Sequence, residues 1–450
     1  MLLLPRLALA TVATGPEPSL AGLAWLAGLA ERRWRVQHFR SLACPTGTGV
    51  VGQVSGLPGR HLDAWLMPEP VLRRLFARGA GQSDLAVVEG SLDETVPPRQ
   101  PLCQRAGCLR PIITALDLPT VAVIPCPRRE AFHLPHIPEG VDAVFLDGLE
   151  SPEDFGFVRM MVSLTSKKPV LGALEALPET REALQRMPHD WPFPEEHLAR
   201  LGASFLRFAD LGAIRELSWS RPSDWPIPEP ARRKAARFRV AYAQDEAFGA
   251  YFPDTLEALE SLGADLVEFS PLRDERLPEG VDLVMIGCGF ADRHAEALAE
   301  NVSMIAALRC HVCHGQRIYS EGGGTAYLGR SLIIDNRRIP GAGILPFDAE
   351  LQGNPEPPAP VARVLTRDCW IGPRGTVVRG YRSGRWRLIP GADPLDCPSS
   401  FGSLTDEGDV FFHHHAVGGM IHLHLGALVE VSTAFAGPHP ASLNRPTARH

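Results

Sequence analysis

The chain has 450 residues, of which 45% are hydrophobic and 22% charged, and its formal net charge is -7 at pH 7. That length accommodates two ordinary domains with separate cores, and the composition excludes a disordered or coiled-coil chain. The acidic balance and the lack of any Lys or Arg run exclude a basic face for phosphate neutralisation, so nucleic acid is not an expected partner.

Met1 to Val12 is apolar, but no basic residue precedes the apolar run and Arg6 interrupts it, so it reads as a buried first strand and not as an export signal. No stretch reaches the roughly 18 uninterrupted apolar residues that a membrane-spanning helix requires. The nine cysteines are odd in number and scattered, which fits reduced thiols and a cytoplasmic location better than a disulfide framework.

Short apolar runs then alternate with amphipathic stretches: Leu7 to Val12, Leu20 to Arg33, Leu85 to Val88, Thr120 to Ile124 and Ala143 to Leu146. This is the rhythm of repeated βα units around a parallel sheet. Between Trp219 and Arg237 the sequence becomes rich in Pro, Trp and charge, which neither a helix nor a central strand tolerates. The expected division is a first domain over 1–222, a linker over 223–237, a second domain over 238–436 and a tail over 437–450.

In the second domain the pattern predicts a strand at Phe238 to Tyr242, a helix at Asp254 to Leu262, and strands at Leu266 to Phe269 and Asp282 to Ile286. A helix around Met304 to Arg309 precedes Tyr319 to Arg330, YSEGGGTAYLGR, which reads as a strand turning sharply into a helix. Such a turn exposes one side chain beside free helix N–H groups, and α/β enzymes display nucleophiles there. An ordinary Gly-rich turn is the competing reading. Ile339 to Pro346 is strand-like, and Gly353 to Pro360 is a Pro-rich loop.

Cys310, Cys313 and His314 form a C-x-x-C-H string, the pattern of covalent haem attachment elsewhere. Here it falls on a predicted helix, and a plain helical role is preferred. His413, His414, His415, His422 and His424 form a histidine group. His422 and His424 have the alternate spacing that places two side chains on one strand face, which admits a metal.

Several segments in order resemble the cobyrinate a,c-diamide synthase family: FRVAYAQDEAFGAYFPDTLEALE from Phe238, VDLVMIGCGF from Val281, YSEGGGTAYLGR, IPGAGILP and IHLHLG from Ile421. GRHLDAWLM from Gly59 and DLAVVEG from Asp84 extend the likeness upstream. The resemblance implies an α/β chain of two domains: an N-terminal P-loop-like, dethiobiotin synthetase-like parallel sheet and a C-terminal class I glutamine amidotransferase-like domain. It further implies ATP and magnesium as cofactors, and amidation of a corrinoid carboxylate with ammonia from glutamine.

The family's functional residues are largely replaced. Its elbow reads Glu-Cys-Gly-Gly; here Glu321 is kept and Gly322 stands where the nucleophile would be, while His422 falls at the general base. A glycine cannot form the thioester. The family's phosphate loop ends in Gly-Lys-Thr-Thr; an ungapped match to TVATGPEPSLAGL puts Glu17 and Pro18 at the Gly and Lys, with Gly15 and Ser19 surviving. Pro18 removes a cation and an amide donor together.

An acidic Pro-Asp-Tyr-Ile-Asp stretch falls on Ala43 to Gly47 with both carboxylates lost, and Glu89 remains at a Walker-B-like strand end. A Gly-His-Glu-Phe-His motif falls on Arg379 to Trp386, with Gly380 kept and both histidines replaced. The expected protein is therefore a degenerate, catalytically inactive member with a tetrapyrrole or corrinoid ligand, acting as a homo-oligomer or beside an active paralogue. Ammonia-dependent, ATP-using amidation of a tetrapyrrole carboxylate is one alternative. A new metal-dependent activity through His422 and His424 is another.

Overall fold

A computed structural model describes residues 4–12, 19–44, 48–92, 106–186, 192–222, 237–354, 356–390, 401–403, 405 and 408–436. The chain divides into two compact units, Met1–Pro230 and Ala231–His450. Apart from Arg237, the linker expected over 223–237 lies outside the described residues, as does the tail over 437–450.

The first unit holds a seven-stranded sheet. Its strands are β1 (Arg6–Thr11), β2 (Val36–Arg40), β3 (Arg60–His61), β4 (Leu85–Ser91), β5 (Thr120–Pro125), β6 (Ala143–Leu149) and β7 (Val170–Glu175). They lie in the order β3-β2-β4-β1-β5-β6-β7, and every pairing is parallel. Strands of such a sheet are covered on both faces, which explains their nearly continuous apolar runs.

Arg6 does not break β1. Its buried guanidinium donates from Nε to the Leu116 carbonyl at 3.0 Å and from one Nη to the Arg221 carbonyl at 3.0 Å, so a charge inside an apolar strand has backbone acceptors. The helix Leu20–Glu31 is buried from Leu20 to Leu29 because it is sandwiched between the sheet and the helix Glu195–Phe208. Trp25 packs on Phe145 and Phe205 with ring centroids 5.5 and 5.4 Å away. A β-carbon at Gly28 would lie 2.2 Å from the Phe205 ring, so glycine is what permits this close approach.

In the second unit β8 (Phe238–Ala243), β9 (Ala264–Phe269), β10 (Leu283–Ile286) and β11 (Arg317–Glu321) join three later strands, Phe401–Ser403, Val410–His413 and Ala416–Gly419, in a second seven-stranded sheet. From β9 through β8, β10 and β11 to Ala416–Gly419 the pairings are parallel; the last two strands add antiparallel. Two smaller sheets flank it, one containing Val377–Arg382 paired with Ile421–His422.

Ile339 to Pro346, expected as a strand, is one only to Pro340, where Arg337–Pro340 ends. Past Gly341 the backbone wraps the end of the helix Gly323–Leu328. Ala342, Gly343 and Ile344 N–H groups bond the carbonyls of Tyr327, Gly329 and Leu328 at 2.7, 2.8 and 2.9 Å. The C-terminal carbonyls of that helix need donors, and this apolar segment supplies them in place of a sheet partner.

Candidate functional site

The strand-to-helix elbow is where the sequence placed it. β11 ends at Glu321, the helix Gly323–Leu328 begins two residues later, and Gly322 between them has φ 51° and ψ −117°. Residues with a β-carbon seldom adopt that conformation. Backbone and side-chain bonds fix the turn: Gly322 N–H reaches the Gly419 carbonyl at 2.9 Å, and Thr325 Oγ1 donates to that carbonyl at 3.1 Å while accepting from Gly419 N–H at 2.9 Å.

Three titratable side chains converge on the elbow from three strand ends. Glu321 closes β11. His422 lies on the short strand Ile421–His422, set beside Gly380 so closely that a β-carbon there would be 2.2 Å from the His422 carbonyl oxygen; this accounts for glycine at 380. Cys288 follows β10, whose register pairs Ile286 with Ser320, so two residues further on Cys288 stands beside Gly322. Its carbonyl accepts from Gly249 and Ala250 N–H, both at 3.2 Å.

Cys288 Sγ is 2.8 Å from His422 Nδ1, and Glu321 Oε2 is 3.4 Å from the same nitrogen. Glu321 Oε1 faces the other way, accepting from the Tyr319 hydroxyl at 2.5 Å and from Leu423 N–H at 3.0 Å. Burial pushes the Tyr319 phenol well above its ordinary range, and the Glu321 charge pushes it further, so Tyr319 stays protonated as a donor. Tyr251 steadies the end of β10, donating to the Met285 carbonyl at 3.2 Å and accepting from Gly287 N–H at 2.9 Å.

Glu321, Gly322 and His422 are thus brought together at the elbow. His424 is not with them. The strand ends at His422, and His424 turns to Asp254, 3.7 Å away, and to the Phe252 ring at 4.7 Å. The metal alternative built on His422 with His424 is corrected accordingly: their alternate spacing does not give one face because the strand stops between them. His413 bonds the Ile344 carbonyl at 2.9 Å. The C-x-x-C-H residues lie on the helix Val302–Cys313 and its cap.

Sequence reasoning missed Cys288. Its signal was a thiol at the C-terminal end of a buried strand, flanked by Gly287 and Gly289, and only the register with β11 reveals its neighbours.

In the first unit Ser19 caps the helix Leu20–Glu31, its Oγ accepting from Gly22 N–H at 3.0 Å. Glu89 lies across the same helix start: Oε1 accepts from Ser19 N–H at 2.8 Å and Oε2 from His38 Nε2 at 2.7 Å. Its oxygens would be about 2.5 Å from a β-carbon at Gly22. Burial raises the Glu89 carboxyl, but the hydrogen bond and charge of His38 and the bonds from Ser19 outweigh it and hold the group below the usual carboxylate range. Gly15, Glu17 and Pro18 lie outside the described residues, as do Pro45 to Gly47, whereas Ala43 and Cys44 are buried. A cavity of about 420 Å³ opens between Ser19, Thr11, Pro125, Asp147 and Arg181, outside the strand ends where doubly wound sheets bind ligands.

A sharp Gly elbow flanked by an acidic residue, with a histidine delivered from a facing strand, defines the second unit as a class I glutamine amidotransferase-like domain. Residues 239–426 match the CobB/CobQ-like glutamine amidotransferase domain family. Over most of its length the chain is similar to the cobyrinate a,c-diamide synthases. It is 29% identical to the Salmonella typhimurium (strain LT2) cobyrinate a,c-diamide synthase over 346 residues, 72% of this chain and 73% of that protein. It is 26% identical to the enzyme of that name from Listeria monocytogenes serotype 4b over 413 residues, 84% and 86% of the two chains. A solved structure described as a glutamine amidotransferase is similar at 15% identity and TM-score 0.31, covering 43% of this chain and 94% of that one. Among the described residues no helix is long and apolar enough to cross a membrane.

Proposed function

We propose that this chain is a cobyrinate a,c-diamide synthase-like protein of cobalamin biosynthesis whose amidotransferase unit does not hydrolyse glutamine. It serves as a corrinoid- or tetrapyrrole-binding or regulatory component, as a homo-oligomer or beside an active paralogue. The observation that carries the reading is Gly322: the elbow keeps its conformation, its glutamate and its histidine, but the residue it presents has no side chain to acylate.

The first unit supports the same reading. The two Glu89 oxygens bond His38 and Ser19, so the carboxylate neutralises the positive helix start from inside, where a phosphate would otherwise bind. Gly15, Glu17 and Pro18 of the matched phosphate loop lie outside the described residues, and no step is assigned to ATP. The odd number of thiols is consistent with a cytoplasmic setting.

The test is a mass-spectrometric assay of purified protein with magnesium ATP and cobyrinic acid, in parallel with glutamine or concentrated ammonium. The reading predicts no mass change in either. Amidation with ammonium alone would show that the first unit still activates a carboxylate. Amidation with glutamine would refute the assignment of Gly322.

A further inference from the structure

The geometry points to a divalent-metal site of the zinc class formed by Cys288, Glu321 and His422. One ligand atom from each residue lies within 4.8 Å of the other two; the register of β10 with β11 sets Cys288 beside the end of β11, and His422 comes from the strand Ile421–His422 of a separate sheet. Sulfur, nitrogen and carboxylate oxygen are the donors zinc takes, and three protein donors are what sites with an exchangeable fourth position provide.

The arrangement differs from a nucleophile, base and acid relay in one decisive respect. A relay needs the thiol and the carboxylate on opposite ring nitrogens, so that a proton can pass through the imidazole. Here Cys288 Sγ and Glu321 Oε2 both approach Nδ1, at 2.8 and 3.4 Å, while Nε2 is 3.8 Å from the sulfur. Convergence on a single point is what a cation requires.

The spacing fits with a small adjustment. Zinc about 2.0 to 2.1 Å from nitrogen and oxygen and about 2.3 Å from sulfur, at tetrahedral angles, sets N and O roughly 3.3 Å apart and N and S roughly 3.5 Å apart. The carboxylate is already at that separation. The thiol has to withdraw by roughly 0.7 Å, a side-chain rotation on a half-buried residue. A supporting layer is in place, because the Tyr319 hydroxyl and the Leu423 N–H hold Oε1 and leave Oε2 as the ligating oxygen. The missing side chain at 322 matters too: a β-carbon there would be 3.1 Å from both Cys288 Sγ and His422 Cε1, at the edge of the donor set. Binding as thiolate releases the thiol proton to solvent.

The experiment titrates untagged, metal-stripped full-length protein with Co2+ and separately with Zn2+, reading the near-ultraviolet thiolate-to-cobalt absorption, bound metal by elemental analysis and the thermal midpoint. The expected result is a single saturable equivalent with a thiolate-to-cobalt band and a metal-dependent rise in midpoint. Cys288→Ser loses the band and His422→Ala loses the bound equivalent, while Cys310→Ser with Cys313→Ser changes neither. Glu321→Gln weakens binding at least tenfold. Loss of the band in the Cys310/Cys313 variant, retention of the equivalent in Cys288→Ser with His422→Ala, or no bound metal above a buffer blank would each overturn the assignment. Glutamine hydrolysis is read separately, so failure here leaves the Gly322 reading standing, and the reverse holds.

Discussion

Replacing Gly322 by alanine asks the elbow to carry a β-carbon, and its cost follows from two features of the turn. At φ 51° and ψ −117° a residue with a β-carbon is strained by about 1–3 kcal/mol. The new methyl would also lie 3.1 Å from Cys288 Sγ and from His422 Cε1, tighter than ordinary contact, and overpacking of this kind costs roughly 1–3 kcal/mol. The sum, about 2–6 kcal/mol, corresponds to a fall in thermal midpoint on the order of 5–20 °C for a unit of this size. The contact component is separable from the backbone component. In a Cys288→Ala background one of the two close contacts disappears, so Gly322→Ala should cost less there, with a coupling of about 1 kcal/mol. Thermal and urea denaturation of the four proteins of that cycle measure both. A neutral Gly322→Ala, or additive effects in the cycle, would refute the packing described for the elbow.

Other outcomes follow from the same contacts. Gly322→Cys alone is expected to leave glutamine untouched because its β-carbon crowds the Cys288 thiol, whereas Gly322→Cys with Cys288→Gly should be labelled at the new thiol by a glutamine-directed alkylating analogue, read by intact mass. His38→Ala strips one partner from the buried Glu89 carboxylate and should cost about 3–5 kcal/mol in urea denaturation at neutral pH. Because Glu89 is held below the ordinary carboxylate range, its contribution is present above the unfolded value of about 4.3 and is lost as pH falls through the folded value. In His38→Ala, burial is left less opposed and the folded value moves up toward the unfolded one, so the acid-side loss of stability should shrink, which denaturation between pH 3 and 7 resolves. Asp409→Ala removes the shared partner of Arg363 and Arg382, whose Nε atoms lie 2.6 and 3.2 Å from its carboxylate; a loss of roughly 2–3 kcal/mol is expected, checked by chemical denaturation.

What the sequence revealed and what it concealed divide along physical lines. Strand and helix alternation was legible because buried parallel strands need continuous apolar runs, and the elbow was legible because close packing at the turn needs glycine. Gly380 could be matched without a reason; its reason is the His422 backbone pressed against it. Cys288 and His38 were invisible as site residues because strand register alone sets their neighbours: β10 against β11 puts Cys288 beside Gly322, and β2 against β4 puts His38 against Glu89. His422 and His424 were grouped because alternate positions share a face, a rule that fails where a strand ends between them. The apolar run after Ile339 read as a strand because periodicity cannot distinguish sheet pairing from capping of a neighbouring helix.

The most direct test of the central claim is incubation of the purified protein with amide-15N-labelled glutamine, with and without magnesium ATP and cobyrinic acid, followed by NMR detection of ammonium. The account predicts no labelled ammonium above the protein-free control under either condition. Labelled ammonium formed at a catalytic rate would contradict it and would mean that a residue other than the one at 322 attacks the amide.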